Sequence, residues 1–332
     1  MQQVHRSVRL LSVTAFLIAL CVPSAFTQDR FASPALRWLQ VNTAQSPSAR
    51  SAPAMAYDPV SKKIVMFGGW DGTKYPTDTW TFDGSHWQQV KTAVSPAGRA
   101  GATMAYDAPS RKLVMFGGFD GNNYRGDTWV WDGVSMRWVQ AHPTQLPTAV
   151  TGPQLFGDPK NGHADLFGGY APPFYRTQMF QWTGSDWLAL NPPTTPTARS
   201  GAVVGLNPAI HQVVLFSGLS ELNVYNTWTW DGTNWTEESP SSQPPSRYDA
   251  AGAYEPHLGG VVAFGGGEGG VDMSDSWEWN GSDWVLLQPL QSPPPRESFG
   301  MAYDFALHHV VIFGGQFGNS LLNDTWVLAP AP

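Results

Sequence analysis

Residues 67–87 read FGGWDGTKYPTDTWTFDGSHW, and the pattern of this stretch occurs six times along the chain. Phe-Gly-Gly begins at residues 67, 116, 167, 264 and 313, and a variant, Phe-Ser-Gly, begins at residue 216. Successive copies are therefore separated by 48 to 51 residues. Self-similarity at a fixed period of this length indicates a repeat architecture. The sequence thus contains six units of nearly equal size.

Each unit has the pattern of four short strands. In the second unit we expect strands at Ala102–Tyr106, Lys112–Phe116, Thr128–Trp131 and Arg137–Gln140. Asp-Pro or a related turn joins the first pair of strands, and Asp-Gly or a relative joins the last pair, which is a strong hairpin signal. The paired glycines end the second strand, where they permit positive φ. The predicted fold is all-β, a six-bladed β-propeller of four-stranded blades.

The sixth unit has no room for a fourth strand, because the chain stops at Pro332 shortly after Trp326. The missing strand is expected at the other end of the chain. Residues 37–41, RWLQV, match the fourth-strand pattern of residues 186–190, DWLAL. We therefore predict that the N-terminal strand completes the last blade, which closes the ring and removes an open seam.

The N-terminal segment has the pattern of a secretory signal. A basic start containing Arg6 and Arg9 precedes an apolar stretch at residues 10–22, which is short for a transmembrane span. We predict a signal peptide at 1–27, a short linker at 28–35 and the propeller at 36–332, in a secreted or periplasmic protein that is not inserted in the membrane after cleavage. A retained anchor helix is the alternative.

The composition narrows the classes of partner. Only 14% of residues are charged, and 34 Gly, 28 Pro and 16 Trp favour short strands and turns. Signal cleavage would leave 17 basic against 26 acidic side chains, which argues against nucleic acid and anionic membranes as partners. The only cysteine, Cys21, would leave with the signal. We expect no disulfide, no metal, no cofactor and a monomer.

Phe-Gly-Gly, then Asp-Thr-Trp at residues 78–80, 127–129 and 324–326, then a further tryptophan, resembles the Kelch repeat. The resemblance covers nearly all of residues 36–328. It implies the propeller fold and leaves the function open, because Kelch-like propellers include enzymes, adaptors and sugar binders.

An arginine precedes the first strand in five units, and the third unit has Val150 there. These residues are Arg50, Arg99, Arg199, Arg247 and Arg296. We expect them at the mouth of the central channel, and in Kelch adaptors that this chain resembles, such arginines hold acidic peptides. The alternative is that each arginine pairs with a nearby acid and braces its blade. The nearby acids in sequence are Asp71, Asp120, Glu221, Asp249 and Glu297.

The loops between second and third strands should open on the same face as these arginines. They carry aromatic residues over the first four blades, namely Trp70, Phe119, Tyr170, Tyr75, Tyr124, Tyr175 and Tyr225. Such rings beside guanidinium groups suit a saccharide or a peptide carboxylate, although they could instead anchor the loops. Every tryptophan except Trp70 recurs at a fixed repeat position, which predicts packing between blades.

The functional prediction is a binding module that holds a saccharide or an acidic peptide at the channel mouth. One alternative is a sugar-acid mutarotase, since the periplasmic sialic acid mutarotases are similar in blade number; Glu221, Glu268 or Glu297 beside an arginine could then supply acid–base chemistry. No catalytic residue is singled out. A second alternative is an envelope scaffold for protein interactions. A copper-radical oxidase of the galactose oxidase type is not expected, because the mature chain would lack the cysteine of its Tyr–Cys crosslink.

Overall fold

The computed structural model describes residues 36–222 and 224–331, and every regular element in these ranges is a β-strand. Within them, no helix is long and apolar enough to span a membrane. The predicted signal peptide (1–27) and linker (28–35) lie outside the described residues.

The first three blades follow strand β1 (Leu36–Val41) in the chain. Blade 1 contains β2 (Ala54–Asp58), β3 (Lys63–Phe67), β4 (Thr79–Phe82) and β5 (Trp87–Val90). Blade 2 contains β6 (Ala100–Asp107), β7 (Lys112–Phe119), β8 (Thr128–Asp132) and β9 (Arg137–Gln140). Blade 3 contains β10 (Gln154–Gly157), β11 (Ala164–Phe167), β14 (Met179–Trp182) and β15 (Trp187–Ala189), with a two-stranded extension, β12 (Tyr170–Ala171) and β13 (Phe174–Tyr175).

The last three blades repeat this arrangement. Blade 4 contains β16 (Val203–Asn207), β17 (Gln212–Phe216), β18 (Thr227–Trp230) and β19 (Trp235–Glu238). Blade 5 contains β20 (Ala251–Glu255), β21 (Gly260–Phe264), β24 (Ser276–Trp279) and β25 (Trp284–Leu287), with the extension β22 (Gly267–Glu268) and β23 (Val271–Asp272). Blade 6 contains β26 (Gly300–Asp304), β27 (His309–Phe313) and β30 (Thr325–Pro330), with the extension β28 (Gln316–Phe317) and β29 (Ser320–Leu321).

The predicted strands of blade 2 are all present, and three of them are longer than predicted, β8 by the single residue Asp132. Strands β6 and β7 extend to Ala100 and Phe119 because these two residues continue the antiparallel ladder. In blade 1 the corresponding contact is an isolated bridge between Ser51 and Trp70. The link into each first strand therefore lies beside the loop from second to third strand, as the sequence predicted.

The N-terminal strand closes the ring, as predicted. Strand β1 pairs antiparallel with β30, with Trp38 opposite Leu328, and completes a sheet of order β1-β30-β27-β26. Trp38 is fully buried and packs against Phe264 of blade 5, with ring centroids 5.2 Å apart. Blade 6 is thus built from both ends of the described chain.

The fourth-strand tryptophans join each blade to the one before it. The indole N–H of Trp138 in blade 2 donates to the hydroxyl of Thr79 in blade 1 at 2.8 Å. The same bond recurs around the ring from Trp87 to Thr325, Trp187 to Thr128, Trp284 to Thr227 and Trp38 to Ser276, while Trp235 contacts the sulfur of Met179. These bonds explain the threonine of the Asp-Thr-Trp motif, since its hydroxyl accepts a hydrogen bond from the indole N–H of the following blade.

The paired glycines make a second set of contacts between blades. The N–H of Gly69 donates to the carbonyl of Arg99 in the next blade at 2.8 Å, and the series closes with Gly315 donating to Arg50 at 2.9 Å. Gly68 has φ 69°, and a Cβ on it would lie 2.5 Å from the Arg99 carbonyl oxygen. Five of the six blades have glycine here because the next blade's backbone lies close to the side-chain position, and blade 4 has Ser217, also at positive φ.

Replacement of Trp38 by alanine should destabilise the propeller by about 3–5 kcal/mol, because it removes a fully buried ring and the blade 5–blade 6 bond. The free energy of unfolding in urea measures this loss. Gln40→Ala, at an exposed position on the same strand, is the matched control. Equal stability of the two variants would contradict closure by this strand.

Candidate functional site

Six turns, one from each blade, form the mouth of the central channel. Their residues are Ala52, Gly101, Gly152, Gly201, Asp249 and Ser298, and all have positive φ between 49° and 68°. Each N–H donates to the carbonyl oxygen of the equivalent residue in the preceding blade, at distances of 2.5 to 3.0 Å, and Ala52 donates back to Ser298. We call this closed circle of backbone bonds the mouth ring.

The channel below the mouth ring is a cavity of ≈ 390 Å³ lined by the six inner strands. Its wall is largely apolar and includes Met55, Met104, Phe156, Phe299 and Met301. Among the described residues that line it, Asp249 is the only one with a charged side chain. This carboxyl is half-buried at the mouth.

The five predicted site arginines lie immediately behind the mouth ring and are buried, with at most 1% of their surface exposed. In Arg50, Nε donates to the Ser48 carbonyl and Nη1 to the Gly68 carbonyl. Its two terminal nitrogens also donate to the carboxylate of Asp78 at 2.7 and 3.0 Å. Arg50 thus links three segments of its own blade through its guanidinium.

Four of the arginines form this bidentate pair with the aspartate of Asp-Thr-Trp or its equivalent. The pairs are Arg50–Asp78, Arg99–Asp127, Arg247–Asp275 and Arg296–Asp324. The bracing alternative that the sequence left open therefore describes their observed contacts. The five acids suggested from sequence as partners were wrong: the arginines pair with carboxylates 28 residues further along, and Asp120 instead pairs with Arg125.

Each of these four aspartates accepts a third bond from an indole. In blade 1 the Trp80 N–H donates to Asp78 at 2.7 Å. Burial alone would raise the pKa of the carboxyl. The hydrogen bonds and charge of Arg50, together with the Trp80 bond, outweigh that effect and hold the pKa of Asp78 below its ordinary value.

Blades 3 and 4 depart from the pattern in different ways. Blade 3 has Val150 in place of the arginine and Gln178 in place of the aspartate, and the Gln178 amide donates to the carbonyls of Thr148 and Gly168. In blade 4, Arg199 donates to the amide oxygen of Asn226. Burial lowers the pKa of Arg199 to about 10, opposed by the charge of Glu237.

Blade 3, which has valine and glutamine in place of the arginine–aspartate pair, suggests a control for the contribution of that pair to stability. Arg99→Val alone should cost about 3 kcal/mol of stability, because it leaves the Asp127 carboxylate without its partner. The double variant Arg99→Val/Asp127→Gln reproduces the pair of blade 3 and should recover most of that loss. Urea unfolding measures both. A double variant as unstable as the single one would rule out the pairing as the cause.

The four arginine–aspartate pairs, which we call the braces, should also set how far the stability of the fold falls in acid. The folded-state pKa of Asp127 lies below its ordinary value of 3.8, despite burial, because Arg99 and Trp129 bind its charged form. Its contribution to stability is therefore complete above that ordinary value and is lost as the pH falls below it. Between about pH 6 and about pH 3, unfolding free energy should fall less steeply in Arg99→Val/Asp127→Gln than in the wild type. Parallel curves would contradict this assignment.

Six of the predicted aromatic residues form one continuous series of ring contacts across blades 1 to 3. The series runs Trp70, Tyr75, Phe119, Tyr124, Tyr170, Tyr175, with successive centroids 4.7 to 6.3 Å apart. All six are half-buried. We call this series the aromatic arc.

The aromatic arc lies beside the mouth ring. Trp70 and Tyr170 form backbone bridges with Ser51 and Thr151, each the residue just before a member of the ring. Contacts with neighbouring rings fix each aromatic side chain and leave part of it open to solvent. The seventh predicted residue, Tyr225, is not among these contacts and is 56% exposed. At Tyr175 the arc reaches a second cavity of ≈ 390 Å³, which Glu221 also lines.

Carboxylates occupy the part of the mouth formed by blades 5 and 6. Blade 5 has Gly267 where blades 1 to 3 carry the first aromatic of each loop, and the Glu297 carboxylate of blade 6 occupies the space a side chain would fill. Burial raises the pKa of Glu297, and the charges of Asp249 and Asp272 raise it further. Burial likewise raises the pKa of Asp249.

Sequence reasoning missed Asp249 as a site residue. The signal was present, because the equivalent positions in the other five units are alanine, glycine or serine. Within the described ranges, no group of three or more His, Cys, Asp or Glu residues has the geometry to hold a metal ion.

The family model described as the KLHDC2/KLHL20/DRC7 Kelch-repeats domain matches residues 30–218. The chain belongs to the Kelch-repeat family. Kelch propellers are generally protein-binding modules, and they typically bind proteins or peptides. The blades beyond residue 218 keep the Kelch pattern, with the same braces at Asp275 and Asp324. A comparison with curated proteins finds no match.

Proposed function

We propose that the chain is an exported binding module, secreted or periplasmic, that acts as a monomer and holds an extended segment of a protein partner across the channel mouth. The observation that carries the proposal is the aromatic arc, six half-buried rings in continuous contact beside an open channel. Family membership supports the same class of ligand.

The physical chemistry of the arc suits this role. Tyrosine and tryptophan provide large contact areas at low conformational cost, and they dominate binding energy at protein interfaces. Because each ring of the arc already packs against its neighbours, little further ordering is needed when a ligand binds.

The pairing of the arginines with aspartates bears on which ligand charge the mouth favours. An acidic ligand, which the arginines predicted from sequence, would have to compete with carboxylates that already bind four of them in bidentate geometry. Asp249 is the one charged residue among the described residues that line the channel, and Glu297 lies close enough for the charge of Asp249 to act on it, so a neutral or basic segment suits the mouth better.

A saccharide is the second candidate ligand. Half-exposed rings can stack on sugar faces, and Asp249 or Glu297 can accept hydroxyl hydrogen bonds. The upward direction of both pKa shifts also favours the mutarotase alternative, because carboxyls whose protonated form is stabilised can serve as general acids.

Peptide display on the whole chain, followed by calorimetric titration of a selected peptide, tests the proposed function. Trp70→Ala/Tyr170→Ala should weaken the binding of that peptide by about thirtyfold or more, because aromatic contacts at the centre of an interface contribute most of its affinity. Tyr225→Ala removes an exposed aromatic residue outside the arc and should change affinity less than about twofold.

A glycan array run with the same variants separates the two ligand classes. Arc-dependent binding of a glycan, with no peptide selected, would replace the peptide proposal by the saccharide one. Sugar-acid anomerisation that is abolished by Glu297→Gln would establish the mutarotase instead. Peptide binding that is insensitive to Trp70→Ala/Tyr170→Ala would overturn the proposed site.

A further inference from the structure

The mouth ring is chemically uniform except at one position. Five of its residues carry a hydrogen, a methyl or a hydroxymethyl group, and the sixth, Asp249, carries a carboxyl. Positive φ disfavours most side chains, and aspartate is one of the few that tolerate it. The Asp249 carboxyl therefore lies at the rim of a cavity whose other described lining residues are uncharged.

Contacts with neighbouring blades hold this carboxyl in place. The Ser298 hydroxyl donates to Asp249 Oδ2 at 3.0 Å. On the other side, Oδ1 lies where a Cβ on Gly201 would be, so glycine is needed there for the carboxyl to fit. Asp249 is thus positioned by blades 4 and 6.

Glu297 brings a second carboxylate to the same sector. Gln316 donates to its Oε1 at 3.0 Å, and its Oε2 lies over Gly267. The proximity of the two acids is also seen in their titration, because the Asp249 charge raises the pKa of Glu297. Among the described residues, neither carboxylate has a lysine, arginine or histidine nitrogen within ion-pairing distance.

Asp249 and Glu297 differ from the four arginine-paired aspartates in their partners. Four aspartates behind the ring each have an arginine partner, whereas Asp249 in the ring and Glu297 beside it have hydrogen bonds but no ion-pair partner among the described residues. A cation brought to Asp249 and Glu297 would relieve their mutual repulsion and gain charge-assisted hydrogen bonds. The apolar wall below, with Met301 and Phe299, offers contact to an aliphatic chain attached to that cation.

We propose that Asp249 and Glu297 bind the ammonium or guanidinium group of a lysine or arginine side chain of the partner segment, with its aliphatic stem against the upper channel wall. This inference rests on the proposed function and specifies the class of ligand. The partner segment contacts the aromatic arc with its backbone or apolar residues and has one basic residue that binds between blades 5 and 6.

The first test uses N-acetyl-lysine methylamide as the probe and N-acetyl-norleucine methylamide as its uncharged counterpart, titrated into the whole chain and followed by NMR. The lysine probe should perturb the mouth residues and bind at least about tenfold more tightly than the norleucine probe. Equal binding of the two probes, or binding only of an acetyl-glutamate methylamide, would overturn the inference.

Isosteric variants locate the site. Asp249→Asn keeps a residue that tolerates positive φ and keeps the Ser298 contact, and Glu297→Gln keeps the Gln316 contact. Each should weaken binding of the lysine probe by about tenfold, whereas Asp231→Asn, at an exposed acid in the turn between β18 and β19 and outside the channel lining, should change it less than about twofold. Because removal of one carboxylate relieves repulsion, urea unfolding should show Asp249→Asn to be at least as stable as the wild type. Unchanged affinity in both mouth variants would refute the assignment.

Peptides selected by display distinguish failure of this inference from failure of the proposed function. Selected peptides that depend on Trp70 and Tyr170, but lack an excess of lysine and arginine and bind Asp249→Asn normally, would leave the proposed function standing and refute the cation site. Selected peptides with one recurrent basic residue, weakened by both sets of variants, would support both. Binding of the lysine probe with no peptide selected would support the cation site and count against the peptide-binding function.

Discussion

The blades of this protein are held together by hydrogen bonds that run around the propeller and return to their starting point. One set links the backbones of the mouth ring, a second joins the paired glycines to the next blade, and a third connects each fourth-strand indole to the preceding blade. Every polar group in these sets is satisfied only if all six blades are present. The motif residues are therefore best understood as contacts between blades.

The sequence predicted the architecture well because the constraints between blades repeat. Phe-Gly-Gly recurs because a neighbouring carbonyl lies where a Cβ would be, and Trp38 matches the other fourth-strand tryptophans because its indole meets an equivalent hydroxyl. The arginine partners were harder to identify, because proximity along the chain pointed to other acids. The constant interval of 28 residues, and the joint replacement of arginine and aspartate in blade 3, would have revealed them.

The candidate site illustrates a limit of reading charge from sequence. Five arginines around a channel predict a positive mouth, yet four of them pair with half-buried carboxylates at bonding distance, so their fields largely cancel outside the blade. What remains at the surface is set by residues outside the repeat pattern, chiefly Asp249 and Glu297. The continuity of the aromatic arc also depends on side-chain geometry, which the repeat spacing alone does not determine.

Closure of blade 6 by strands β1 and β30 has a consequence for the order of folding. These strands are at opposite ends of the described chain, so their pairing has the largest loop-closure cost in the fold and requires the last strand to be available. Blades 1 to 5 can each form from contiguous segments, but the circular bond sets stay interrupted until that final pairing occurs. During synthesis the chain would remain an open arc of blades, and the mouth ring would be complete only after β1 and β30 pair.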